Sequence, residues 1–273
     1  MGEAVLNGVR LSYEIAGDGD PVVLVAGTGM SGSGWELLGA PELRAAGYRT
    51  ITFDNRGVGS SDGPPGPYSV ADMAADTAAL IEHLGYPRTR VIGISLGGSI
   101  AQELTRTRPD LVQATVLWAG AGRVPAFFRR LSAAALEIAS VVALPASWHL
   151  VELLLISLPF ETLQSDDDQV EAVAALVEAS LAWSGDGCAG QLSANVEWDF
   201  VDHADLYRQI NCPCLVIAHQ LDLIFPPHAG RAAAAAMPRG SFLEIDNVTH
   251  GQALQAASTV LPAIIEFFAT IDT

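Results

Sequence analysis

Arg90-Val91-Ile92-Gly93-Ile94-Ser95-Leu96-Gly97 is a short apolar run that ends in the pattern G-x-S-x-G. A buried strand that turns at once into a helix presents a serine in this way. The sharp turn holds the nucleophile in a strained backbone conformation and lifts its Oγ clear of the sheet. The spacing predicts glycine at 93 and 97 because a Cβ at either position would collide with neighbouring backbone. A helix starting near Leu96 would aim its N-terminal amides and positive dipole end at the same point. Ser95 is therefore the candidate nucleophile.

Outward from this stretch, apolar runs alternate with helical patterns. Strands are expected at Ala4–Leu6, Val9–Glu14, Val22–Ala26, Thr50–Phe53, Arg90–Ile94, Ala114–Ala119, Cys214–Ala218 and Ser241–Ile245, the first two joined by an Asn7-Gly8 hairpin turn. Helices are expected at Ser69–Leu84, Leu96–Arg106 and Gln252–Thr270. The reading is an α/β fold with a mainly parallel eight-stranded sheet covered by helices on both faces. The rhythm breaks between about Arg123 and Val201, a helix-like stretch rich in Ala, Leu and aromatics. We read residues 1–122 and 202–273 as the two parts of one core, and 123–201 as a helical cap over the site; an ordinary extra helical layer is the alternative.

A serine hydroxyl is a weak nucleophile and needs a base. Of six histidines, His250 follows the last expected strand and opens toward the final helix, at the sheet edge that carries Ser95. His83, His149, His203, His219 and His228 read as surface or packing residues. An acid must orient the base. Asp222 lies beyond the strand Cys214–Ala218, and Asp246 is a competitor nearer His250 in sequence. The oxyanion amides would come from Leu96 and from the loop Gly27-Thr28-Gly29-Met30-Ser31-Gly32, with Thr28 the choice. That loop also matches the dinucleotide fingerprint G-x-G-x-x-G with Asp54 downstream, but it continues through Ser33-Gly34-Trp35 instead of entering a helix.

The stretch Phe53-Asp54-Asn55-Arg56-Gly57-Val58-Gly59-Ser60-Ser61 resembles the D-x-R-G-x-G-x-S turn of α/β hydrolases. With Gly93–Gly97, Asp222 and His250 in the order Ser, Asp, His, the likeness covers nearly the whole chain outside the cap. Phe53–Gly59, residues 76–81 and residues 100–104 bring it nearest to the bacterial cofactor-free haloperoxidases and related esterases. The resemblance implies a Ser95–His250–Asp222 triad and a structural role for the turn at Asp54. The family's usual His-Gly before the oxyanion loop is Ala26-Gly27 here, which puts loop geometry and substrate fit in question. The same fold serves esterases, thioesterases, lactonases, cyclases, lyases and perhydrolases, and a few non-catalytic ligand receptors.

The expected activity is hydrolysis of an ester, thioester or lactone in a small, apolar molecule, with Trp35, Phe127, Phe128, Trp148 and Trp183 as candidate substrate-contacting residues. No cofactor and no metal is implied: Cys212-Pro213-Cys214 reads as the start of a strand, and Asp166-Asp167-Asp168 as a solvated helix start. Fourteen basic against 31 acidic groups give a net charge of −17, which argues against nucleic acid and anionic membranes as partners. Three cysteines and no basic-apolar leader in Met1–Leu6 lead us to expect free thiols and a cytoplasmic protein. Oligomeric state has no signature in the sequence.

Overall fold

A computed structural model describes residues 1–142, 145–180 and 183–271. The side chains of Ala146, His149 and residues 176–180 lie outside that description, so the expectation for His149 does too.

Strands β1 (Gly2–Leu6), β2 (Val9–Ala16), β3 (Asp20–Val25), β4 (Tyr48–Phe53), β5 (Thr89–Ile94), β6 (Val112–Trp118), β7 (Cys214–His219) and β8 (Gly240–Ile245) form one sheet. Its order is β1-β2-β4-β3-β5-β6-β7-β8. The β1/β2 and β2/β4 pairs are antiparallel and the rest are parallel. Asn7 at φ 49 and Gly8 at φ 79 make the tight hairpin turn, the geometry that Asn-Gly adopts at least cost.

The helices are α1 (Trp35–Leu38), α2 (Ala40–Ala45), α3 (Val70–His83), α4 (Leu96–Thr107), α5 (Ala126–Ala139), α6 (Ala146–Ser157), α7 (Phe160–Ser165), α8 (Asp167–Ser180), α9 (Gly187–Asp199), α10 (Ala204–Tyr207), α11 (Pro227–Ala236) and α12 (Ala253–Ala269). Helix α3 starts where expected because Ser69 and Asp72 form a reciprocal capping box, each side chain bonding the other's amide at 3.0 Å. Alternate residues of the central strands serve opposite faces. Val23, Val25 and Val91 pack with Met73, Leu80, Ile100 and Leu104 of α3 and α4. Val22, Leu24 and Ile92 pack with Trp35, Leu43, Leu261 and Ile264. Among the described residues no helix is long and apolar enough to cross a membrane.

The chain leaves β3 toward one side of the sheet and returns through β5 toward the other. The crevice at the carboxyl ends of β3 and β5 is thus the topological switch point, where ligands bind in open α/β sheets. Helices α5 to α9 all fall between β6 and β7, and Trp183 makes an isolated bridge with Val58. Helix α9 packs on both α5 and α3. Asp166 accepts the Gln169 amide at 3.0 Å, a cap for α8, so the acidic triplet is a helix start.

One pH effect follows from this packing. Burial pushes the Asp199 carboxyl, at the end of α9, up to about 7, against the pull of Arg129 on α5. In the unfolded chain the same group keeps its ordinary value near 3.8. Between these values folding takes up a proton, so stability is lost as pH rises from about 4 to about 7. Asp199→Asn removes the effect. Its advantage over wild type, read from urea midpoints, should grow by about 2 kcal/mol between about pH 5 and about pH 8, allowing for partial exposure. A pH-independent difference would mean that the carboxyl is ionised throughout.

Candidate active site

Ser95 sits between β5 and α4 with φ 53 and ψ −122. A non-glycine residue there stores about 1–3 kcal/mol of strain, which the surroundings must impose. They do so through the Ser95 amide, which donates to Trp118 O at 3.1 Å, and the Ser95 carbonyl, which accepts the Gly98 and Ser99 amides at 2.8 and 3.3 Å. A Cβ on Gly93 would come within 2.1 Å of Gly97 O, and one on Gly97 within 2.1 Å of Val25 O. The flanking glycines are a steric requirement of the elbow.

The structure brings Ser95, His250 and Asp222 into one hydrogen-bonded series. Ser95 Oγ lies 2.9 Å from His250 Nε2, and His250 Nδ1 lies 2.8 Å from Asp222 Oδ2. Asp222 is 3% exposed and its other oxygen, Oδ1, accepts the amides of Ile224 and Phe225 at 2.7 and 2.9 Å. Burial works against its charge. The coulombic pull of His250, its hydrogen bond and the two amides prevail and hold the carboxyl below its ordinary value. An ionised Asp222 accepts the hydrogen bond of Nδ1–H and so keeps the proton on that nitrogen, which leaves Nε2 bare to accept the Ser95 hydroxyl. Asp246, the sequence competitor, is exposed at the turn after β8.

The loop after β3 lies against Ser95. A Cβ on Gly27 would stand 3.2 Å from Ser95 Cβ and 3.9 Å from Oγ. Asp54 anchors this loop: Oδ1 accepts the Ser31 hydroxyl at 2.7 Å and the Gly32 amide at 2.8 Å, while Oδ2 accepts the Ser60 amide at 2.8 Å. Its carboxylate is thus spent on the two turns. Arg56 in the same stretch forms a paired bond to buried Asp76 at 2.7 and 2.9 Å. The Thr28 amide takes no part in the described hydrogen bonds of the loop, whereas Gly29 donates to Gln191 Oε1 at 2.9 Å.

Sequence reasoning missed the α9 residues that hold this loop. Gln191 is 0% exposed on α9; besides accepting from Gly29, it donates to Arg56 O at 3.0 Å. Four residues on, Asn195 donates to Thr28 Oγ1 at 3.0 Å. Nothing in the chain between 123 and 201 marks these two amides as partners of residues 135 to 167 positions earlier. His219, expected as a surface or packing residue, is 0% exposed at the end of β7 and hydrogen-bonded on both ring nitrogens. Its place at the carboxyl end of an apolar strand was a usable signal. His203 stacks on Trp198 at 3.9 Å, and His83 and His228 are exposed.

The expected substrate-contacting aromatics divide. Phe128 is buried with Val124, Ile156 and Phe225, and the Phe225 ring lies 5.9 Å from that of His250. Phe127 is 64% exposed, with its ring edge-on to that of Phe128 at 5.2 Å. Trp35 is 1% exposed in the core beside Trp118 and Leu43, which corrects its placement at the substrate. Its indole fills the space between the sheet and the helices that cover it. Trp148 and Trp183 are half-buried on α6 and at the bridge to Val58. The three cysteines are free, and no cluster of three or more metal-ligating side chains occurs among the described residues.

Residues 20–257 match the family model for the alpha/beta hydrolase fold, and the chain belongs to that family. Over 266 residues it is 37% identical to a Mycobacterium tuberculosis (strain H37Rv) protein named "Putative non-heme bromoperoxidase BpoC", covering 96% of this chain and 99% of that one. The crystal structure of the same relative superimposes with a TM-score of 0.86 at 36% identity, over 99% of this chain and 98% of the other. A "Putative carbamate hydrolase RutD" of Caulobacter sp. (strain K31) is 27% identical over 92% of this chain and 91% of its own. A thermophilic esterase from Thermogutta terrifontis is 25% identical with a TM-score of 0.84, covering all of this chain and 99% of its own. These relatives support an enzyme of the α/β-hydrolase type and the likeness to haloperoxidases and esterases read from the sequence.

Proposed function

We propose that the chain is a serine hydrolase that cleaves an ester, thioester or lactone bond through an acyl-enzyme. The observation that carries this reading is the series Ser95 Oγ–His250 Nε2–Asp222 Oδ2, with both links under 3 Å, on a backbone strained to present the hydroxyl. His250 takes the Ser95 proton as Oγ attacks the acyl carbon, then delivers it to the leaving group. Water, deprotonated by His250, then attacks the acyl-enzyme and releases the acid and free Ser95. Asp222 keeps His250 in the productive tautomer. The amides of Leu96, at the start of α4, and of Thr28 are assigned to the oxyanion, each worth roughly 2.7–4 kcal/mol.

Gln191 supports this assignment because it fixes the residue next to Thr28. Gln191→Leu leaves the Gly29 amide and the Arg56 carbonyl without their partner. It should cost about 2 kcal/mol in urea unfolding and about tenfold in kcat as the oxyanion amide drifts, with KM nearly unchanged. Unchanged kcat in a destabilised variant would limit Gln191 to a structural role.

The apolar cluster around Phe128, Ile156 and Phe225 beside His250 favours an apolar acyl or ring substrate. Each buried methylene contributes about 0.8 kcal/mol, or about fourfold in kcat/KM. A p-nitrophenyl ester series from acetate to octanoate should therefore rise over its first members. Turnover of no ester, thioester or lactone would favour a ligand-binding protein. A steady fall from acetate onward would show a small closed pocket. The name of the 37% identical relative favours a second reading, in which peroxide replaces water at the acyl-enzyme and releases a peracid. Halide oxidation that requires both a carboxylic acid and peroxide would single it out.

A further inference from the structure

His219 stands where three elements of the site meet, and the chemistry of its neighbours leaves its ring one protonation pattern. Trp118 Nε1 lies 2.8 Å from His219 Nε2, and an indole N–H can only donate. Thr249 O lies 2.7 Å from His219 Nδ1, and a carbonyl can only accept. The ring therefore carries its proton on Nδ1 and is neutral. A second proton on Nε2 would confront the indole N–H. Burial acts in the same sense and lowers the group to about 4.

The connections run from nucleophile to base. Trp118 holds the Ser95 amide through its carbonyl and His219 through its indole. His219 holds the carbonyl of Thr249, the residue before His250. The Thr249 hydroxyl donates to Ser157 O at 2.8 Å, and the Gly251 amide donates to Ile156 O at 3.0 Å, so the end of α6 closes on the same loop. Trp118 and His219 are both 0% exposed, and Thr249 is 4% exposed.

We propose that His219 is a positioning residue: as the Trp118-fixed Nδ1–H tautomer it clamps the Thr249 carbonyl and thereby aims His250 Nε2 at Ser95. The role rests on the hydrolase reading above. A neutral ring at this place also spares the imidazolium that develops on His250 a second positive charge. An error of about 1 Å in a reacting group can cost on the order of 10²-fold in rate.

The test uses p-nitrophenyl butyrate turnover, fluorophosphonate labelling of Ser95, thermal unfolding and ¹⁵N NMR of the histidine rings. In the wild type, His219 Nδ1 should give a protonated and Nε2 an unprotonated signal from about pH 5 to about pH 8. An Nε2–H tautomer overturns the proposal without reference to activity. His219→Phe should lower kcat about 10–100-fold with KM within about threefold, and His219→Asn, which keeps a donor toward Thr249 O, should recover about tenfold. Trp118→Phe, which retains the histidine, should mix the two tautomers and slow turnover by about tenfold. Should His219→Phe fail to fold, the Asn and Trp118 variants decide. Folded variants at wild-type kcat, with Ser95 still labelled, overturn the positioning role alone. A wild type in which Ser95 is not labelled overturns the hydrolase reading, and this role with it.

Discussion

Replacement of Ser95 by alanine is expected to slow ester hydrolysis by about 10⁴–10⁶-fold while leaving a folded protein. The loss should be so large because the groups around Ser95 have no second nucleophile to serve. His250 Nε2 has Ser95 Oγ as its hydrogen-bond partner, and the elbow exists to hold that atom in place. The variant should be at least as stable as the wild type in urea, since the substitution keeps the strained backbone but asks less of it: no hydroxyl has to be held beside an imidazole. Fluorophosphonate treatment of the wild type followed by mass spectrometry should place the label on Ser95 and nowhere else. A Ser95→Ala enzyme with near wild-type turnover, or a label on another serine, sinks the nucleophile assignment and with it the acyl-enzyme.

The second large effect belongs to Asp222→Asn, which should cost about 10⁴-fold in kcat. The reason lies in what already occupies the carboxylate. Oδ1 accepts the amides of Ile224 and Phe225, so an asparagine must keep its oxygen there. Its NH₂ then replaces Oδ2 and points an N–H at His250 Nδ1. That nitrogen must become the acceptor, the proton moves to Nε2, and Nε2–H faces the Ser95 hydroxyl it was meant to deprotonate. Asp246→Asn touches an exposed side chain and should stay within about threefold of wild type in kcat. The opposite ranking, with both variants folded by circular dichroism, would move the triad acid to Asp246.

Both expectations rest on residues that the sequence brought forward, but not to the same degree. The sheet, its order of apolar runs, the hairpin at Asn7-Gly8 and the elbow at Ser95 are legible because each depends on near neighbours. Strand alternation has a period of two residues, and the elbow glycines are demanded by backbone atoms within a few positions or on the adjoining strand. His250 was legible because a loop leaving a parallel strand can only emerge at the sheet edge that carries the elbow. The poly-alanine helix Pro227–Ala236 went unread, since a run of alanine has no polar face to set its period.

Distant packing decided the rest. Asp222, expected from the sequence, is held at His250 Nδ1 by the loop of Ile224 and Phe225 folding back on its other oxygen, while Asp246 stays exposed. Trp35 went into the core and Phe127 to the surface because volume on each face, not residue type, settles which aromatic is covered. Gln191, Asn195 and His219 meet their partners across separations of 30 to 167 residues. By itself the sequence determined the sheet, the elbow and the kinds of residue that could act there, since sterics and periodicity are local. Which tautomer is set and which α9 side chains adjoin the candidate site was left to the tertiary structure, because a buried hydrogen bond is specified only when both partners have lost their water to each other.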